Sequence, residues 1–443
     1  MKKTSISKAC IAALGALALL IPAVRAQDSS ADRFWAQWRG PNHTGVSTTA
    51  NPPIEWSETE NIRWKVEIPG RGFASPVVWD DRIFVLTAIP ADVAGDAQHD
   101  PRGGERSRGI HQFMVMAIDR ETGRTIWERI ATEQEPHEAG HPANSTWASS
   151  SPVTDGERVY AYFESFGLYA YDMDGALLWE RDLGDKRMRN EFGEGSTPAL
   201  LGNTLVLVWD HLHGDSYVFA IDARTGEELW RVQRDEIDTW ATPLILSVNG
   251  RPQVIVPAMN RVRSYDLEDG SVVWESDGLT MNAIPSPVYG DGLLFLMSGF
   301  RGNDLKAIRV VDALGNIDGT DAIVWTRDRD TPYVPSPVLV DGILFFLKSN
   351  SGILSALDAQ TGKPHYQNQR LPGTPNVFAS PVAAQGRVYF PGRDGTTVVI
   401  RSGPEFEVLT TNTLDDGFDA SPALVDNDMY LRGYRYLYAI SNQ

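Results

Sequence analysis

Two groups of histidines stand beside carboxylates at spacings that can hold a metal ion. His137 and His141 share a segment with Glu133, Glu135 and Glu138, and Asp210-His211-Leu212-His213 sets two imidazoles on one side of a strand end. Imidazole with carboxylate is a donor set for zinc or copper. The first group, however, lies in a segment broken by Pro136, Gly140 and Pro142, and the second falls at a hairpin turn. Both are read as loop residues, and no metal site is predicted.

A second set of candidates is spread along the chain. Arg301, Asn303, Lys348, Arg393 and Arg432 each follow a short apolar segment. Several cations at one level of a fold can gather an anionic ligand. Glu164 and Asp210 occupy comparable places, so the alternative is a bipolar arrangement, or hairpin tips and ion pairs with no ligand. Aromatic or amide residues also precede a series of Ser-Pro and Thr-Pro pairs: Phe73, Trp147, Trp240, Asn282, Tyr333, Phe378 and Phe418. Rings there can stack on a flat cofactor or sugar, or pack loop against loop. The expected ligand-binding set is Trp240, Asn282, Arg301, Asn303, Tyr333, Lys348, Arg393 and Arg432. No nucleophile elbow, phosphate loop or dinucleotide fingerprint occurs in a strand–helix context, and no catalytic residue is predicted.

The elements that must position these residues are repeats. Ser75-Pro76, Ser151-Pro152, Thr197-Pro198, Thr242-Pro243, Ser286-Pro287, Ser336-Pro337, Ser380-Pro381 and Ser421-Pro422 recur, after the first, at intervals of 41 to 50 residues. That is the period of a propeller blade. Each pair opens an apolar strand, several run into Asp-Gly turns such as Asp155-Gly156 and Asp341-Gly342, and a second strand follows. Further on, Asp119, Thr122-Gly123 and Trp127 recur as Asp222, Thr225-Gly226 and Trp230, as Asp266, Asp269-Gly270 and Trp274, and as Asp358, Thr361-Gly362 and Tyr366. An aromatic four residues beyond a turn glycine sits on the outer strand, where it can plug the gap to the next blade.

The pattern predicts an all-β chain: an eight-bladed β-propeller of four-stranded antiparallel blades, closed by an N-terminal strand. The last blade has three strands of its own, and residues 61–66, with Trp64, supply its outer one. Blade five carries an insertion around Leu314 to Asp321, and blade seven has Val408 where the plug tryptophan belongs. The segment from Ala91 to Gln112 is a polar insertion.

Outside the repeats, Lys2, Lys3 and Lys8 precede an apolar run from Ala9 to Val24 that is shorter than the about 20 residues needed to span a bilayer. Residues 1–26 are expected to be a signal peptide, 27–60 an N-terminal arm and 61–443 the propeller. The localisation implied is periplasmic or extracellular, with no transmembrane segment in the mature chain. The single cysteine, Cys10, falls in the leader rather than at a lipidation position, so disulfides and thiolate chemistry are excluded from the rest. With 40 basic and 58 acidic side chains the net charge is −18, which repels nucleic acid.

The Ala-x-Asp-x-x-Thr-Gly-x-x-x-Trp pattern of Ala117 to Trp127 and Ala220 to Trp230 resembles the repeat of pyrroloquinoline-quinone (PQQ)-like, or quinoprotein-like, propellers. The opening Gln37-Trp38-Arg39-Gly40-Pro41-Asn42 is similar to the N-terminal motif of an exported bacterial subgroup. Two branches follow from the resemblance. Quinoprotein alcohol dehydrogenases hold PQQ and calcium in the central funnel beneath an adjacent-cysteine disulfide that this chain cannot make. The BamB-type assembly lipoproteins are non-catalytic, and their lipidated cysteine is absent here. The resemblance therefore implies a non-catalytic scaffold with no resident cofactor that binds an envelope protein, a peptide or a small anionic ligand. The alternative is a PQQ-dependent oxidoreductase acting on an alcohol or sugar.

Overall fold

The computed structural model describes residues 1, 33–91, 109–141, 144 and 146–442. The expected leader, beyond its first residue, and most of the Ala91 to Gln112 insertion lie outside the described residues.

Eight sheets form the blades of a propeller, as the repeat predicts. Within blade 1 the strands Val77–Trp79, Arg82–Pro90, His111–Asp119 and Thr125–Gln134 run from the channel outward in chain order, each antiparallel to the last. Blades 2 to 7 repeat this order over 153–181, 199–234, 244–277, 288–327, 338–370 and 382–413. Blade 8 consists of Ala423–Val425, Asp428–Arg432 and Tyr436–Ser441, and Ile62–Glu67 pairs antiparallel with the last of these, placing Trp64 opposite Ala439. Joining the two ends of the chain in one sheet leaves no open edge at the seam.

The outer-strand tryptophans weld each blade to the next. Trp127, Trp179, Trp230 and Trp325 donate their indole N–H to the carbonyls of Met173, Ala223, Leu267 and Ala359, at 2.8 to 3.1 Å. Each acceptor directly follows the repeat aspartate of the next blade, whose carboxylate caps the turn; Asp222, for instance, accepts from the Arg224 N–H at 2.8 Å. The turn glycine then has two reasons to be glycine. At Gly226 the backbone has φ +74°, and a Cβ there would lie 2.7 Å from the Trp179 ring.

The inner ends are joined by a closed ring that the Ser/Thr-Pro pairs build. The backbone N–H of Ser75 donates to Ser151 Oγ, that of Ser151 to Thr197 Oγ1, and so on through Thr242, Ser286, Ser336, Ser380 and Ser421. The Ser421 N–H returns to Ser75 Oγ, and all eight bonds measure 2.8 to 3.1 Å. The following proline has no N–H to offer, so the Ser or Thr N–H is the donor that faces the neighbouring blade.

Both irregular blades are repaired from elsewhere in the sequence. The insertion in blade 5 contributes Gly315–Asn316, which pairs parallel with the outer strand of blade 4 and sets Gly315 opposite Trp274. Blade 7 lacks its own tryptophan, and Trp56 of the N-terminal arm fills the position. Its ring stacks 6.4 Å from Tyr389, and its backbone N–H donates to Asn412 Oδ1 at 3.0 Å. Tyr389 is the third residue of the second strand, as are Phe84, Tyr160, Phe295 and Tyr430, which pack on Trp127, Trp179, Trp325 and Trp64.

The arm also crosses one mouth of the channel. Trp35 bridges to Val78 of blade 1, the Ala36 carbonyl accepts from Thr154 of blade 2, and Val46–Ser47 pairs parallel with the inner strand of blade 7. Arg39 is 2% exposed and donates to the carbonyls of Pro381 (2.7 Å), Thr44 (2.9 Å) and Pro337. Burial pulls its guanidinium down to about 9.

Candidate functional site

The other side of the channel is a cavity of about 410 Å³. Its floor is built by six residues of the ring, Ser75, Ser151, Thr197, Thr242, Ser380 and Ser421, together with Trp38, whose indole donates to Ser421 Oγ at 3.3 Å. Its wall follows a rule of register. The residue two before each ring Ser or Thr lines the cavity: Phe73, Ser149, Gly195, Trp240, Ile284, Val334, Phe378 and Asp419. These residues end the links between blades, just before the chain turns into the inner strand, so all eight point at the same space.

Seven aromatic rings face it in total, with Phe192, Phe300 and Tyr333 joining Trp38, Phe73, Trp240 and Phe378. Phe300 and Tyr333 stack with centroids 4.7 Å apart. The polar atoms of the two tryptophans are already used, because Trp240 Nε1 donates to the Gly193 carbonyl at 2.7 Å. Their faces are what a ligand meets.

Two carboxyl groups complete the wall. Asp419 is 2% exposed in its side chain and lies 2.8 Å from Arg393 Nε, with the Tyr434 hydroxyl at 3.2 Å. Burial pushes it up to about 6, and Arg393 and Tyr434 only partly offset the push. Glu194 stands between blades 2 and 3, its Oε2 3.4 Å from Lys186 Nζ and 3.2 Å from the Ser165 N–H. Lys186 is 1% exposed and also pairs with Glu164. Burial raises the Glu194 carboxyl well above its usual range, Lys186 opposes that, and Glu164 adds to it. Burial would lower the Lys186 ammonium, but Glu164 and Glu194 more than offset it and hold it above its ordinary value.

The expected ligand set is divided by this geometry. Trp240, Asn282 and Tyr333 line the cavity, and Asn282 Nδ2 donates to the Tyr333 hydroxyl at 3.3 Å. The other five do not line it. Arg301 is exposed, its guanidinium 5.5 Å from the Phe300 centroid. Asn303 Oδ1 accepts from Thr331, Lys348 is held by Asp330 at 2.8 Å, and Arg393 is held by Asp419. Arg432 is buried at the blade 8–blade 1 joint, donates to the Leu86 carbonyl, and is lowered to about 9 by burial. Among the described residues that line the cavity there is no Lys or Arg, so these five expected side chains do not form its wall. Lys348, Arg393 and Arg432 each meet an acid or a carbonyl of a neighbouring segment before they reach the channel.

Of the remaining candidates, Phe73 and Phe378 line the cavity. Phe418 is fully buried against Tyr438, and Trp147 packs on His111 at 4.5 Å. His141 lies on the cavity wall, whereas His137 is spent on the Lys186 carbonyl at 2.7 Å. Asp210 forms a fully buried pair with Arg234 at 2.8 Å, and His211 Nδ1 accepts from the His213 N–H. Sequence reasoning missed Glu194, Asp419, Trp38, Phe192 and Phe300. The fixed offset of two residues before each ring Ser or Thr is the signal that finds Asp419.

The quinone of the fold family is a tricarboxylate, and its calcium ion takes six to eight oxygen ligands. Among the described residues the lining holds no Lys or Arg to meet the carboxylates. Among the described residues no group of three or more His, Asp or Glu is arranged to hold a metal ion. The donor set does not fit that cofactor.

Comparison with known proteins places this geometry among relatives. The chain matches the family model described as outer membrane protein assembly factor BamB over residues 111–282 and 258–441. The outer membrane protein assembly factor BamB of Yersinia pestis is 22% identical over 298 residues, 65% of this chain and 59% of that protein. Methanol dehydrogenase [cytochrome c] subunit 1 of Methylobacterium organophilum is 26% identical over 148 residues, 28% of this chain and 22% of that one. The chain thus spans less than two thirds of the length of either curated relative. The crystal structure of BamB from Moraxella catarrhalis superposes with a TM-score of 0.53 at 15% identity, covering 80% of this chain and 97% of the other, a likeness of fold.

Proposed function

The chain belongs to the family described as outer membrane protein assembly factor BamB, and from that premise we propose that it is an exported, non-catalytic propeller whose aromatic cavity receives a segment of an envelope protein. On this reading residues 1–26 direct export, residues 27–60 are the N-terminal arm, whose described part from Arg33 stoppers the channel, and the propeller works in the periplasm or outside the cell. The observation that carries the reading is the blind, ring-lined cavity. Its tryptophan N–H groups are spent internally while its aromatic faces are left bare. Rings around a concave, largely apolar space favour anchoring a partner's side chains. Among the described residues no helix is long and apolar enough to cross a membrane. The net charge of −18 disfavours nucleic acid.

The experiment compares the full chain with Trp240→Ala and Tyr333→Ala as bait in envelope extract, quantifying captured proteins by mass spectrometry. A discrete partner retained by the parent and lost at least tenfold by both variants supports the reading, and capture indifferent to both contradicts it. The oxidoreductase alternative is tested on the same preparation with PQQ and calcium. A stoichiometric quinone spectrum with dye-linked oxidation of an alcohol or sugar overturns the non-catalytic assignment.

A further inference from the structure

We propose that the cavity grips its ligand by a cationic group, an alkylammonium or guanidinium seated among Trp240, Phe192, Phe300 and Tyr333 with Glu194 as its counter-ion. The inference rests on the reading that this cavity is the binding site, and it names the chemistry bound there.

Three observations carry it. The lining offers carboxyl groups and aromatic faces and, among the described residues, no Lys or Arg. Aromatic faces carry the negative side of the ring quadrupole and attract cations, most strongly where water is excluded. Behind the wall a single ammonium, Lys186, faces two carboxyl groups, Glu164 and Glu194. Glu164 is further engaged by Ser150 Oγ and the Ser196 N–H, both at 2.8 Å, so Glu194 is the member of the pair that looks into the cavity. Finally, Asn282 belongs to the wall and is 1% exposed, and its buried Oδ1 has no hydrogen-bond partner. An unpaired buried acceptor costs free energy that an N–H donor on the ligand recovers.

The protein already shows the same arrangement filled from within. On the blade 7–8 side, the Arg393 guanidinium lies 4.1 Å from the Phe378 centroid and is anchored by Asp419 at 2.8 Å. Cation, ring and carboxylate are all supplied by the chain there. On the blade 2–3 side the ring and carboxylate are present. Trp240 is hydrogen-bonded to Gly193 beside Glu194, while the neighbouring cation, Lys186, is buried behind the wall.

The test uses the unmodified full chain, with the fluorescence of the wall tryptophans as readout. Probes of matched size are titrated: n-butylammonium, ethylguanidinium, n-butanol, pentanoate and a methyl glycoside. The tripeptides acetyl-Gly-Lys-Gly-amide and acetyl-Gly-norleucine-Gly-amide follow. The expected result is binding of both cations at least tenfold tighter than of the neutral and anionic probes, with the Glu194→Gln variant reducing that preference at least fivefold. A lysine peptide tighter than butylammonium identifies a protein side chain as the source, and equal binding identifies a free amine. Neutral, anionic or sugar probes that bind as well as the cations overturn the inference, as does the absence of cation binding. Should the partner capture described above still depend on Trp240 while cation preference is absent, only this inference falls. If neither holds, the binding-site reading falls with it.

Discussion

The backbone N–H of Ser421 donates to the hydroxyl of Ser75 at 2.8 Å, joining blade 8 to blade 1 across 346 residues of sequence. It is the last link of a ring in which every blade both gives and takes one hydrogen bond at the cavity floor. Such a ring makes the floor a property of the whole propeller rather than of any one blade.

Removing one hydroxyl from it leaves a buried N–H without an acceptor. Ser336→Ala strands the Ser286 N–H, now 3.0 Å from Ser336 Oγ, and is expected to cost about 1–3 kcal/mol in denaturant unfolding. Ser336→Thr keeps the acceptor, as Thr197 and Thr242 do naturally, and should cost less than half as much.

Trp56 is expected to count as a blade residue although it lies outside the repeats. Trp56→Ala removes the ring stacked on Tyr389 and fully exposes the gap between blades 7 and 8. A loss of about 3–5 kcal/mol is expected, together with faster protease cleavage of the arm. A variant that unfolds like the parent would show that the arm is not part of the core.

Two glycines with the same backbone preference should respond differently. Gly226 and Gly386 have φ of +74° and +69°, but a Cβ at Gly226 meets the Trp179 ring whereas one at Gly386 meets nothing within 4 Å. Gly386→Ala pays the left-handed backbone term of about 1 kcal/mol. Gly226→Ala adds the clash and should cost at least twice as much, measured by thermal unfolding.

Buried carboxyls give the stability a pH signature. Burial raises Asp419 to about 6 and Glu236 to about 7, with Arg393 and Arg234 respectively opposing. A carboxyl raised in the folded state holds its proton more tightly there than in the unfolded chain. It therefore adds stability below its unfolded value, and that contribution is lost as pH rises through the folded value. Asp419→Asn and Glu236→Gln should each flatten the fall in unfolding free energy between about pH 4 and 7 relative to the parent. Curves that stay parallel to the parent's would contradict the assignment.

The blades were legible because their determinants are local. Pro, Gly and Trp at fixed offsets each answer a steric demand of the same hairpin, and the pairing of Trp64 with the last strand follows from counting. The repairs were not legible. Trp56 and Gly315–Asn316 reach their blades through packing between distant segments, which no spacing encodes. The site was half legible for a similar reason. Trp240, Asn282 and Tyr333 stand in the links ahead of the ring and must face the channel. Lys348 and Arg432 sit on hairpins, where the nearest acid or carbonyl on a neighbouring blade takes them.

The central claim is that a partner's segment enters the cavity. Replacing Phe300 by photoreactive p-benzoylphenylalanine, with Leu229 on the exposed outer strand of blade 3 replaced as a control, and irradiating in envelope extract tests it directly. The account predicts one discrete protein adduct from position 300 and little or none from 229. Adducts that do not favour position 300 would contradict it.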